Sequence, residues 1–524
     1  MPRFAHFRLW LREGPTAERW GAASVTLVVL ALLSLALVPV SDGSGTATLN
    51  GPKPGTGFPA ASRHPSHGHK RRAVPTPSTH GGNGKARRHG GKGTSGPSTP
   101  PVATKPTKHG HASKPGTPHR SAADPCATTL TSAQGVTPTE VKVDVAIVQL
   151  AGAVGNAAFN IPNNQIGIVN AVTNYVNHHG GLACGRKLVT KIYKVNPIDS
   201  NNQQSQCLQM VQDKPIAVIN TGAYVTPVSQ ECFIRNHLPL ETGTSPGAAQ
   251  ARQSYPYLFS PIDSSEQQVR NGILGAAARG YFKRASFHKI ALYQDNCLPS
   301  ANTEIARDLA KSGVSRSQIT SYTLTCELVG SPTQISQAVA KAKSAHADTV
   351  FLGSSIFNNE SFVSDAGQQN YHPRFLTSDY GTSTLGSGSS KWAKNFDGAI
   401  AITSTHSGEL NSGIHSPGLN LCNKMMANNG QPEIRNENAD DAASGECDQV
   451  RFMAQAIDNA GPNPSPLRLV EQLGQMSRFH SAYVGDSLWS SPGQVTGNTF
   501  QRAIQWHGYC RCWKVLDRSF GPSY

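Results

Sequence analysis

The seven residues Glu241 to Gly247 read ETGTSPG and put Gly243, Ser245 and Gly247 in the spacing G-x-S-x-G, that of a hydrolase nucleophile elbow. An elbow uses the backbone N–H of the residue after the serine in its oxyanion hole. Here that residue is Pro246, which has no N–H. An elbow also turns from strand straight into helix, whereas the run SPGAAQARQSYPYLFSP follows, broken by Pro246, Pro256 and Pro261. Nucleophilic catalysis by Ser245 is therefore not expected, and neither is enzymatic activity. What the loop does offer is hydroxyls and backbone donors, the chemistry of an anion nest.

The other reactive side chains are the ten cysteines, all of them within residues 124 to 524. None forms the C-x-x-C spacing of zinc or thioredoxin chemistry, so cystines in an oxidising compartment are expected. No metal or cofactor site is assigned, because the histidines repeat no ligand spacing.

Those residues must be carried by folded elements, and the charge pattern marks where folding begins. The chain has 524 residues and a formal net charge of +15, yet residues 43 to 123 alone carry 13 Lys and Arg, 8 His and no acid. Residues 124 to 524 hold 30 basic and 29 acidic side chains, so the high overall charge does not indicate nucleic-acid binding. The segment 43–123 has almost no large apolar residue and reads as a disordered basic linker. Its expected electrostatic partners are anionic cell-wall polymers or lipid head groups, the alternative being a plain spacer.

Ahead of it, GAASVTLVVLALLSLALVPV (residues 21–40) is uncharged and long enough to cross a bilayer of about 30 Å. Four arginines precede it, so residues 1–20 are expected in the cytoplasm, with 21–40 as a transmembrane signal anchor and 124–524 extracytoplasmic. Cleavage as a signal peptide and secretion is the alternative.

From Val141 onward, β-branched runs alternate with helical stretches. VKVDVAIVQL, KLVTKIY, IAVIN and LPLET read as strands, with helices at NQIGIVNAVTNYVNHHGG, SNNQQSQCLQMVQD and PVSQECFIRN between them. After the helix SSEQQVRNGILGAAARGYF the same alternation resumes through KIALYQD, TSYTLT, DTVFLGS and RFLTSD. The fold class is α/β, with two doubly wound parallel-sheet lobes and a ligand cleft between them.

At this point the chain resembles the type I periplasmic solute-binding proteins, especially the leucine/isoleucine/valine-binding branch of ABC transporter receptors. The resemblance spans roughly residues 136 to 516. Its most specific piece is NHHGG…GRKL, and TFQRAIQWHGYCRCWKVL is similar to the family's closing hairpin. It implies that the loop with Gly243, Thr244 and Ser245 lies at the cleft and holds a ligand carboxylate, a plain turn being the alternative.

Loop position adds Ala153, Tyr224 and Thr226 in the first lobe, and Asp295, Asn296, Phe357, Asn358, Asp379 and Tyr380 in the second. The family's usual second-lobe acid is replaced by Asn358 and Asn359, with Glu360 just beyond. Cys297 and Leu298 stand where an aromatic is common.

The implied function is capture of an amino acid or similar small polar solute for an ABC permease. The alternatives are a ligand sensor for a partner protein and an envelope structural protein with a degenerate cleft. Right-handed crossovers put the helices after the second and third strands on one sheet face, which pairs Cys207 with Cys232. The remaining expected pairs are Cys126–Cys184, Cys297–Cys326, Cys422–Cys447 and Cys510–Cys512.

Overall fold

In the computed structural model, the described residues are 125–127, 129–150, 161–162, 164–327, 329–386, 392–473, 476, 478–487, 493–497 and 500–524. The expected signal anchor and basic linker lie outside them. Among the described residues no helix is long and apolar enough to cross a membrane.

The first lobe is built on a five-stranded parallel sheet in the order β2-β1-β3-β4-β5. Its strands are β1 (Glu140–Val148), β2 (Lys187–Val195), β3 (Ala217–Asn220), β4 (Leu240–Thr242) and β5 (Leu258–Phe259). Helices α1 (Gln165–His178), α2 (Ser200–Asp213), α3 (Pro227–Arg235) and α4 (Ala248–Ser254) connect them. β1 is buried along nearly its whole length, as a central strand covered on both faces must be.

The second lobe begins with α5 (Ser265–Ala278). Its sheet has the order β12-β11-β10-β9-β8-β6-β7, with a short β13 (Gly521–Pro522) beside β11. Five strands alternate with three helices: β6 (Ile290–Asp295), α6 (Pro299–Lys311), β7 (Ile319–Leu324), α7 (Pro332–Ser344), β8 (Thr349–Gly353), α8 (Ile356–Gln368), β9 (Arg374–Ser378) and β10 (Ile400–Thr403). The hairpin β11 (Phe500–His507) and β12 (Cys512–Val515) closes the edge in antiparallel register, as the sequence suggests.

The lobes are not sequential halves. After β10 the chain returns to lobe one, where α9 (Pro417–Ala427), α10 (Glu437–Asn459) and α11 (Pro466–Gln472) share one core with β1, β3 and α1. Leu419, Cys447, Val450 and Ile457 pack there with Val143, Ile168 and Val172. The backbone therefore crosses between lobes three times, near residues 260–264, 403–407 and 479–487. The crossings are tied together, since Thr405 bridges Val484 and Ser260 bridges Thr496.

All five expected cystines are formed. The Cys207–Cys232 bond joins α2 to α3 on one face of the sheet.

Candidate functional site

The carboxyl ends of the lobe-one strands and the first turns of α8 enclose a cavity of about 430 Å³. This is the place where open parallel sheets bind ligands, and the volume suits a small molecule. Thr221 and Gly222 follow β3, and Gly243 and Thr244 follow β4. Lobe two supplies Ile356, Phe357 and Glu360, with Thr382 and Leu385 after β9. α10 contributes Gly445, Glu446, Asp448 and Gln449, and the last crossing contributes Tyr483 and Val484.

Gly243 is required by packing. A Cβ there would collide with the side-chain amide of Gln449. That amide donates to the Asn220 carbonyl at 3.0 Å, an oxygen that also accepts from the Gly243 N–H at 3.1 Å. α10 thus sits directly on the ends of β3 and β4. Next to it, the Thr242 and Thr244 hydroxyls are 2.7 Å apart and the Thr244 N–H donates to Thr242 Oγ1.

The wall is mostly apolar. Val148, Leu150, Ile161, Ile198, Ile356 and Phe357 line it, and no Lys, Arg or His does so among the described residues. Its acids are held differently from one another. Asp448 is raised above the usual carboxylate range by burial, against which work Arg451 (Nη1 to Oδ1, 2.7 Å), the Ser481 hydroxyl and the Ala482 and Tyr483 N–H groups. Glu446 is pushed up to about 8 by burial, offset by a hydrogen bond with Gln165.

Of the residues expected from the sequence, Gly243, Thr244 and Phe357 line the cavity. Ser245 is not part of the wall; its Oγ accepts from Gln268 Nε2 at 2.7 Å, with no histidine or carboxylate among its hydrogen-bond partners. Tyr224 is fully buried and donates to the Gln203 carbonyl at 3.0 Å, and Thr226 caps α3. Ala153 lies outside the described residues.

In lobe two, Asp295 and Tyr380 engage each other, and Asn358 and Asp379 turn to other partners within the lobe. The Tyr380 hydroxyl donates to Asp295 Oδ1 at 3.0 Å, and Ser354 donates to the other oxygen at 2.9 Å. Asn296 is exposed. Asn358 is buried, accepting from the Gly330 N–H at 2.6 Å and donating to Ser354. It sits in the first turn of α8 and not in a loop, because Ser355 caps that helix. Asp379 clasps the second crossing through Thr403 and Ser404. Buried polar groups need partners, and at these strand ends they find them within the lobe.

Sequence reading missed Glu446, Gln449 and Tyr483. The signal was available: Ala443, Cys447, Val450, Ala454 and Ile457 recur with a helical period, and Gly445 inside that run marks a close approach, here to the Tyr483 ring. The loop after β4 carries no acid, as its sequence implies, yet the cavity does, because α10 brings acids from two hundred residues away.

No family model and no curated protein matches this chain by sequence. Solved structures do match. A solute-binding protein of an ABC transporter from Rhodopseudomonas palustris BisB5, in complex with 3,4-dihydroxybenzoic acid, superposes with a TM-score of 0.54 at 12% identity, covering 74% of this chain and 98% of that one. A substrate-binding protein from Desulfitobacterium hafniense in complex with Leu gives 0.51 at 15% identity, over 72% and 100%. A fatty acid ABC transporter substrate-binding protein from Thermomonospora curvata gives 0.55 at 11% identity, over 75% and 95%. The chain has the fold of the ABC transporter substrate-binding proteins.

Proposed function

We propose that residues 124 to 524 form an extracytoplasmic solute receptor that captures a small, mainly apolar molecule with one polar end and delivers it to an ABC-type permease. The observation that carries this reading is the 430 Å³ cavity at the strand ends, walled by both lobes and by α10. Apolar walls with a few convergent polar groups are the ordinary make-up of a small-molecule site. Similar proteins are described with Leu, with 3,4-dihydroxybenzoic acid and as fatty acid receptors, so the shared fold accommodates solutes with large apolar parts. This narrows the expectation of a small polar solute to an amphipathic one. The polar contacts fall to Thr244, Glu446 and Gln449, and Phe357 and Ile356 cover the apolar part.

A ligand that binds only the folded state stabilises it by about 2.7 kcal/mol at 100 times its dissociation constant. A thermal-shift screen of aromatic and aliphatic acids, amines, alcohols and apolar amino acids should therefore yield a hit. Thr244→Ala should weaken that hit by about 0.5–1.5 kcal/mol, the net worth of a neutral hydrogen bond. Phe357→Ala should weaken it by about 1–2 kcal/mol through lost apolar contact. No shift across the screen, or unchanged binding by both variants, would leave an envelope structural protein as the better account.

A further inference from the structure

Glu446 forms part of the cavity wall with only 4% of its surface exposed, and its Oε2 has no hydrogen-bond partner among the described residues. Gln165 of α1 engages the carboxyl group. The other acid of α10 in the wall, Asp448, is already occupied by Arg451, Ser481 and two backbone N–H groups. No cationic side chain lines the cavity among the described residues, and the sequence 151–160 that joins β1 to α1 contains no charged residue.

Resting on the receptor reading above, we propose that Glu446 is the polar recognition point of the cavity and selects apolar solutes that carry a protonated amine over those that carry a carboxylate. A buried acid with an unused oxygen is a vacant acceptor for a charge-assisted bond. An ammonium group brings three donors and the opposite charge into apolar surroundings, where the attraction is poorly screened. A carboxylate would enter the same surroundings with no cation to meet it.

Burial pushes the Glu446 carboxyl up to about 8, so before a ligand binds at neutral pH it is mostly protonated. An amine must therefore displace that proton, a penalty of about tenfold in affinity at pH 7. The sign follows: affinity rises about tenfold from pH 6 to 7, levels off above about 8 and falls as the amine itself loses its proton near 10.

The titratable groups on the elements packed against α10 are Tyr175 and His178 on α1, Glu241 on β4, Lys424 on α9, and Arg468 and Glu471 on α11. Glu360 and Tyr483 also line the cavity, and Asp448 and Arg451 follow on α10 itself. None of them sets the raised Glu446 value, which follows from burial with Gln165 working against it.

The test is calorimetric titration of the full-length protein with matched probes: 2-phenylethylamine, 2-phenylethanol and 3-phenylpropionate, then hexylamine, hexanol and hexanoate. At pH 8 the amines should bind at least tenfold more tightly than the carboxylates, weaken about tenfold between pH 7 and 6, and release nearly one proton on binding at pH 7. Glu446→Gln should abolish both the preference and the pH dependence while keeping its melting temperature at pH 6. Glu446→Asp should keep the preference with weaker binding. A carboxylate preference, a pH-independent amine, or an unchanged preference in Glu446→Gln overturns the proposal. If acids or alcohols bind and amines do not, the receptor reading stands and this one falls; if none of the six binds, this one falls and the receptor reading is decided by the wider thermal-shift screen.

Discussion

Asp144 lies in the middle of β1, fully buried, with neither carboxylate oxygen partnered among the described residues. Burial raises it to about 7, only partly countered by Lys142 and Lys191. A folded-state value above the unfolded one means the native state holds the extra proton, so this contribution is complete below about pH 4 and is lost as pH rises through 7. Glu446, at about 8, adds a loss of the same sign. Asp144→Asn should leave stability near pH 4 almost unchanged and raise it at pH 8 by roughly 2–4 kcal/mol, each tenfold change in proton affinity being worth about 1.4 kcal/mol. Denaturant melts at the two pH values check this; a variant no more stable than the parent at pH 8 would mean that Asp144 finds a partner in solution. Other single residues differ in how openly the sequence announces them. The G-x-S-x-G match at Ser245 turns on one atom, the N–H that Pro246 lacks. Glu446 shares the helical period around it, but its burial and its unused oxygen exist only once α10 lies against the sheet.

At the scale of elements, strands and crossover helices were legible from periodicity and composition, and so was the pairing they imply. Cys207 and Cys232 were assigned to each other because consecutive right-handed crossovers share a sheet face, and α2 and α3 do. Closing a loop of 25 residues, that bond should contribute about 2–4 kcal/mol. The double variant Cys207→Ala/Cys232→Ala should lose that amount in a urea titration and keep the other four bonds; a loss under about 1 kcal/mol would contradict it.

The NHHGG…GRKL run is equally readable in physical terms. Gly180, Gly181 and Gly185 have φ of +105°, +72° and +88°, and a side chain at Gly181 would strike the Arg186 carbonyl. The buried Arg186 guanidinium then binds the Thr137, Ala183 and Pro462 carbonyls, tying the segment before β1 to the loop before α11. Lobe-two loop residues were less legible. Proximity to a strand end does not say whether a side chain turns to the cavity or, like Asp295 and Tyr380, to its neighbour.

At the scale of the molecule, the strand-helix alternation led to two lobes and a cleft but left the helices α9 and α10 unassigned to either. Lobe one needs α9 and α10, which belong to no strand-helix alternation and so escaped that pattern. The apolar run 21–40 and the basic linker ahead of the receptor lead us to propose a tethered protein, free to reach a permease in the same membrane. On fractionation it should remain in the membrane pellet through a high-salt wash, with residues 1–20 still attached. A mature terminus beyond residue 36, or release into the medium, would make it a secreted protein instead.

The threefold passage of the backbone between lobes also governs how the protein is made. Chains are synthesised from the amino end, and α1 emerges about 250 residues before the helices that cover its apolar face. Until α9 and α10 arrive, Ile168, Val169 and Val172 have no complete core to enter, so lobe one cannot finish folding first. Lobe two in turn waits for β11, the strand that Ala401 and Ile402 pair with near the chain's end. Both lobes are thus completed by the final hundred residues or so, and a chain cut short there would be left with two unfinished, adhesive halves in place of one sound lobe.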